Sequence, residues 1–509
     1  MVQPMRLGAP AIVLAAMLAA MGVTAGTLAL LGNEWSYPIM IALLAVVLVG
    51  VIIKETAANG DPLTPGGIAA ATGLLLFVLR PLTVAQSQET SPGALADTRF
   101  FSPNLQLAVS SALVQVLIFF ISFYLVYYFS SARESKRAGS GLSPQAALTS
   151  APVPGTGRHY SARATNALVV GSSVIGLGLL VYLVMSSGGP SAYIAGLANR
   201  SNFLSGRAFI GLAYIPVQIA LILNILERRR VGLYSWNWIT IAGFATLIVC
   251  AASAGGRGPL IVGVFLPFLI LKQIGPNPLR FRRIAWMAGG TAVISMLYGI
   301  VIRDAAFDDG RSLDLLLRDP IGVLLDRLTS GIETRPFDVL IRLNEVVAQP
   351  GFEYQLGATY AAVPAWFVPR QLWENKPFGG GNTWFTSTYV PRFYGENRVE
   401  TSLSAIGEAF SNFGFIGIIA VGALLGLVVS LFIRSRISRR GIFGTTIAIV
   451  ITPLVFSTIR GDAYQGMSTS IGSLVIISVF VWLASSKTDP VATAPEPLPA
   501  RTLLPTNRG

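Results

Sequence analysis

The chain has 509 residues, 53% of them hydrophobic and only 12% charged, with 37 Lys and Arg against 24 Asp and Glu for a net charge of +13. Soluble domains carry roughly a quarter charged residues, so the composition excludes an ordinary soluble protein and predicts an all-α polytopic membrane protein. One cysteine, Cys250, and one histidine, His159, exclude an internal disulfide and any metal site built on Cys or His clusters.

Apolar runs near the bilayer-crossing length of about 20 residues recur about twelve times. They predict spans at 8–31, 36–53, 66–85, 105–129, 164–186, 206–226, 236–254, 258–274, 284–302, 404–433, 442–459 and 466–485. The first run is too long for a signal-peptide core and is read as a span. Basic residues fill alternate connections: Arg6, Lys54, the set Arg133 to Arg163, Arg228–Arg230, Lys272 to Arg283, Arg434 to Arg440, and Lys487 to Arg508. That alternation places this side, and both termini, in the cytoplasm. It also accounts for the net positive charge without nucleic acid.

The resulting organisation is 1–130, the first four spans; 131–163, a Pro/Gly/Ser-rich linker expected to be disordered; 164–302, spans five to nine; 303–403, one large extracytoplasmic loop; 404–486, spans ten to twelve; and 487–509, a tail expected to be disordered. No internal repeat stands out, which counts against a transporter built from duplicated halves.

The loop concentrates arginine on the side where basic residues are usually scarce: Arg303, Arg311, Arg318, Arg327, Arg335, Arg342, Arg370, Arg392 and Arg398, with Lys376. Leucines and isoleucines from Leu313 to Leu328 recur at helical spacing and predict an amphipathic helix at the interface. Asp338, Arg342 and Glu345 are spaced to pair on one polar helix face, most simply a solvated one.

Further on, Arg370, Lys376 and Arg392 are interleaved with Trp366, Trp373, Trp384 and Tyr389, among glycines and prolines. Guanidinium groups suit diphosphate, and aromatic faces suit sugar rings; the plain alternative is an aromatic belt with snorkelling cations. Arg257 in Ser253-Ala-Gly-Gly-Arg257-Gly and Arg460 in Arg460-Gly-Asp462 occupy tight turns predicted on the same side. Glu408 opens the tenth span, where a carboxylate is costly unless used, paired or wet.

The run Gly357…Tyr360…Pro369-Arg370…Trp373…Lys376-Pro377…Gly380, then Gly407-Glu408…Asn412-Phe-Gly414-Phe-Ile-Gly417, resembles the Wzy-type O-antigen and oligosaccharide repeat-unit polymerases over roughly 160–480. The spacing of an arginine, ten residues and a glycine seen in some members is met at Arg370–Gly381 and Arg200–Gly211. The resemblance implies a bacterial inner-membrane glycosyltransferase that joins undecaprenyl-diphosphate-linked repeat units outside the membrane. It implies no cofactor and no metal, with flippase and chain-length regulator proteins as partners.

Expected diphosphate ligands are Arg257, Arg303, Arg370, Lys376 and Arg460, with Arg370 also catalytic. Trp366, Trp373, Trp384 and Tyr360 are expected to hold sugar, and Glu408, then Asp462, to act as base. Two alternatives stand beside it. A lipid-linked oligosaccharide flippase would usually place its ionisable groups in mid-span. An O-antigen ligase-like transferase is expected to use an outer-loop histidine, whereas His159 falls on the cytoplasmic side.

Overall fold

The structure, a computed structural model, describes residues 36–59, 61–87, 105–137, 160–198, 203, 210–275, 278–301, 311–330, 335–365, 368, 372–373, 379–391, 401–434 and 441–485. Regular structure among them is helical, apart from an isolated bridge between Tyr160 and Ser485.

Among the described residues, eight helices are long and apolar enough to cross a membrane: Tyr37–Ala57, Pro65–Val84, Leu107–Ser130, Ala162–Ser186, Ile210–Arg230, Ser404–Leu431, Ile442–Arg460 and Ala463–Ala484. Shorter apolar helices run over Trp238–Ser253 and Pro259–Gln273. The predicted 8–31 span and the 487–509 tail lie outside the described residues. The predicted linker is ordered at both ends: helix continues to Arg137, and Tyr160 pairs with Ser485 ahead of the next helix.

In chain order the helices that position the site are α1 (Ser36–Asn59), α2 (Pro65–Phe77), α3 (Leu79–Ser87), α4 (Leu105–Arg137), α5 (Ala162–Ser186), α6 (Pro190–Ala198) and α7 (Tyr214–Arg230). Then come α8 (Trp238–Ser253), a π-helical run Pro259–Phe265 leading into α9 (Leu266–Gln273), and α10 (Phe281–Gly299). The predicted outer loop contributes α11 (Arg311–Arg318), α12 (Pro320–Ser330), α13 (Arg335–Val347), α14 (Ala358–Ala365) and α15 (Gly381–Tyr389). The bundle is completed by α16 (Ser404–Val428), α17 (Ile442–Ile451), α18 (Leu454–Arg460) and α19 (Ala463–Ala484).

The predicted interfacial helix is divided. Pro320 starts α12 afresh, and Asp319 accepts from the Gly322 N–H at 2.8 Å as its cap.

The most extensive helix pairing is α4 with α16. Gly422 and Gly426 let the two backbones close: a Cβ at Gly422 would stand 2.7 Å from the Phe119 carbonyl oxygen. This small-residue face therefore packs within one chain. Around α4, Phe77, Phe119, Phe120, Phe123 and Tyr127 form an aromatic core.

That same core takes in Phe337, Leu340 and Leu343 of α13, Phe385 of α15, and Leu403 and Ile406. The described loop helices α13 and α15 are thus docked into the bundle and share its core.

The solvated-face reading of Asp338, Arg342 and Glu345 is corrected here. Arg342 pairs with Glu345 at 2.9 Å, but Asp338 is buried and takes a two-pronged ion pair from Arg80 of α3, both bonds at 2.9 Å. The helical spacing that allowed a pair along one face could not reveal a partner 258 positions away.

Candidate functional site

Glu408 and Asp462 form the centre of the candidate site. Glu408 lies in the first turns of α16 and is fully buried; Asp462 precedes α19 and is also buried. Asp462 caps α19, its Oδ1 accepting from the Gln465 N–H at 2.8 Å. The next N–H, that of Ala463, donates to Glu408 Oε2 at 2.6 Å. The start of α15 supplies the third anchor, the Asn382 N–H donating to Asp462 Oδ2 at 2.9 Å. Two helix N-termini, α15 and α19, therefore converge on two adjacent carboxylates, each end favouring negative charge.

The approach of α15 depends on Gly381, where a Cβ would stand 2.9 Å from Glu408 Cγ and 3.1 Å from its carboxyl carbon. Gly381→Val is expected to push α15 off the carboxylate. Denaturant unfolding in detergent should register the overpacking as a loss of about 1–3 kcal/mol.

The Gly357–Tyr360 segment closes another side. α16 breaks at Phe413 and Gly414, with Gly414 at φ +62°, ψ −148°, a conformation open mainly to glycine. The Ser411 and Asn412 carbonyls accept there from the Gln355 and Leu356 N–H groups at 3.0 and 3.2 Å. Asn412 bridges the two segments: its Oδ1 accepts from the Gly357 N–H at 2.8 Å, and its Nδ2 donates to Thr359 Oγ1 at 2.9 Å. Tyr360 stacks on Phe413 with ring centroids 6.4 Å apart.

Within this enclosure two polar atoms are buried without a hydrogen bond among the described residues, Glu408 Oε1 and the Tyr360 hydroxyl. Thr359 and the Gly381 backbone lie beside the Glu408 carboxyl. A buried oxygen left so costs about 1–3 kcal/mol, so it calls for a use or a proton. Burial pushes the Asp462 carboxyl above the ordinary carboxylate range, against the N–H donors that would lower it. Burial, then the charges of Glu408 and Asp462, push the Tyr360 phenol well above its ordinary value.

The other predicted residues are spread around this centre. Arg460 ends α18, half-buried and two residues before Asp462; its carbonyl accepts from the Ser402 hydroxyl at 2.5 Å. Half-buried Arg257 packs its guanidinium on Gly299 of α10, where a Cβ would stand 3.1 Å from Cζ. The π-helical run after Arg257 touches α18.

Trp384 of α15 packs edge-on against Tyr389, centroids 5.6 Å apart, and Trp373 is exposed. Arg303, Arg370, Lys376, Trp366 and Arg200 lie outside the described residues.

Two groups of polar residues went unread in the sequence. Arg80 sits inside an apolar run, and an in-span arginine by itself signals a buried acidic partner. Gln115, fully buried on α4, donates to Asn344 of α13 at 2.6 Å, and Ser111 joins the same oxygen at 3.1 Å.

Among known proteins, no family model, curated protein or solved structure matches the chain.

Proposed function

We propose that the chain polymerises undecaprenyl-diphosphate-linked oligosaccharide repeat units into a surface polysaccharide, by glycosyl transfer at the extracytoplasmic face of a bacterial inner membrane. The observation that carries this reading is the convergence of 357–360, 380–382, Glu408 and Asp462 into one enclosed polar site at the start of α16. Three of these four elements belong to the sequence pattern that resembles the polymerases.

In the proposed reaction an acceptor sugar hydroxyl attacks the anomeric carbon of the donor glycan. The new C–O bond forms as the bond to the lipid diphosphate breaks, and the diphosphate leaves with the electron pair. Glu408 removes the hydroxyl proton, with Asp462 holding the α19 end in place beside it. Arg257 and Arg460, with Arg370, Arg303 and Lys376 from the loop, stabilise charge developing on the leaving diphosphate. Tyr360, Trp384, Trp373 and Trp366 provide sugar-packing surface. Because Glu408 is fully buried, the reaction on this reading requires the start of α15 to withdraw from it.

The test is reconstitution of purified protein with lipid-diphosphate-linked repeat units, following glycan length on a gel with and without chelator. A ladder that persists in chelator is the expected result. No ladder with the cognate substrate, together with transfer of labelled lipid-linked sugar between leaflets, would replace the polymerase with a flippase.

A second reading is favoured by the backbone bonding of both carboxylates. Glu408 and Asp462 would then be a clasp that fixes α15 and α19 to α16, with no role in proton transfer.

A further inference from the structure

At the opposite, arginine-rich connections predicted to be cytoplasmic, a cleft of about 610 Å³ opens between the end of α7, the 231–237 turn and the end of α9. Arg229, Lys272, Tyr234 and Trp236 line its mouth. It shares Phe244, Phe268 and Lys272 with a second groove of about 260 Å³, which runs on to Met287, Thr291 and Ile294 of α10. The shared walls make one channel, charged at one end and apolar at the other.

Its aromatic wall is continuous. Trp236 packs edge-on to Phe244 with centroids 5.4 Å apart, and Phe244 to Phe268 at 4.9 Å. Arg229 is fixed at the mouth by donating from Nη1 to the Leu271 carbonyl at 2.7 Å, one of the five donors of a guanidinium. The flanking arginines are held in place too: Arg228 donates to the Ser235 carbonyl at 2.8 Å, and Arg230 pairs with Glu227 at 2.6 Å. No carboxylate lines either cavity among the described residues.

We propose that this channel binds one anionic phospholipid. Its phosphate lies against Arg229 and Lys272, and one acyl chain runs along Phe244 and Phe268 toward Met287 and Ile294. Two cations without a lining acid favour a net negative headgroup over a zwitterionic one. The apolar continuation favours a lipid over a free phosphate, which would leave the groove to be filled by something else.

Native mass spectrometry of the full-length protein in detergent tests this. The probes are phosphatidylglycerol, phosphatidylcholine with the same chains, and inorganic phosphate. Wild type is expected to retain phosphatidylglycerol in preference to phosphatidylcholine. Lys272→Gln, a change at an exposed side chain, should weaken phosphatidylglycerol about fivefold and leave phosphatidylcholine unchanged. Thr291→Trp, which fills the apolar arm, should weaken it comparably.

Equal retention of the two lipids by wild type would overturn the proposal, as would unchanged phosphatidylglycerol binding in either variant. Displacement of phosphatidylglycerol by inorganic phosphate at matched concentration would overturn the lipid assignment. These readouts use no glycan substrate, so they stand or fall apart from the polymerase reading.

Discussion

Glu408→Gln is expected to lower the rate of glycan extension by about 10²–10⁴-fold, the usual worth of a positioned general base. The amount of folded protein in the membrane should stay near that of wild type. Glutamine keeps one oxygen that can still accept from the Ala463 N–H, which now bonds Glu408 Oε2 at 2.6 Å. What it loses is the ability to take a proton, while its NH₂ occupies the place of Oε1, the oxygen without a hydrogen bond among the described residues.

The clasp reading predicts another pattern. Glu408→Gln would then polymerise near the wild-type rate, and Glu408→Ala would lose both stability and polymer through release of α19 and α15. Extension rates on reconstituted protein, read beside unfolding midpoints in detergent, separate the two. A full-rate Glu408→Gln enzyme removes Glu408 from the chemistry.

Arg80→Ala is expected to destabilise the protein by about 3–5 kcal/mol, because it strands the Asp338 carboxylate. Both partners are buried, with side-chain exposures of 3% and 0%, and the pair joins α3 to α13 through two bonds of 2.9 Å. The charge would be left inside a core that also contains Phe337 and Leu340.

The double variant Arg80→Met, Asp338→Leu removes both charges at similar volume and should recover most of that loss. Denaturant unfolding of wild type, Arg80→Met, Asp338→Leu and the double variant gives the coupling directly. If Arg80→Ala unfolds like wild type, the pair does not hold α13 to the bundle. If the double variant is as unstable as the single ones, packing and not the stranded charge sets the cost.

The sequence alone determined that this is a helical multi-pass membrane protein, and roughly where its long apolar helices run. That is legible because a bilayer demands about 20 apolar residues per crossing and satisfies backbone groups only within a helix. It also picked out 357–360 and 407–414 as unusual, since glycines and a carboxylate at a span end contradict the simple apolar pattern.

Only the tertiary structure decided that Asn412 joins those two segments, that Ala463 presents its N–H to Glu408, and that Asp338 belongs to Arg80. These contacts cross 53 to 258 positions of chain. Periodicity reports which side of a helix faces apolar surroundings, not which distant helix lies there. For the same reason α13 looked like a solvated polar face: Arg342 and Glu345 do pair along it, but the partner of Asp338 comes from α3 and the helix packs into a core built with α4 and α16.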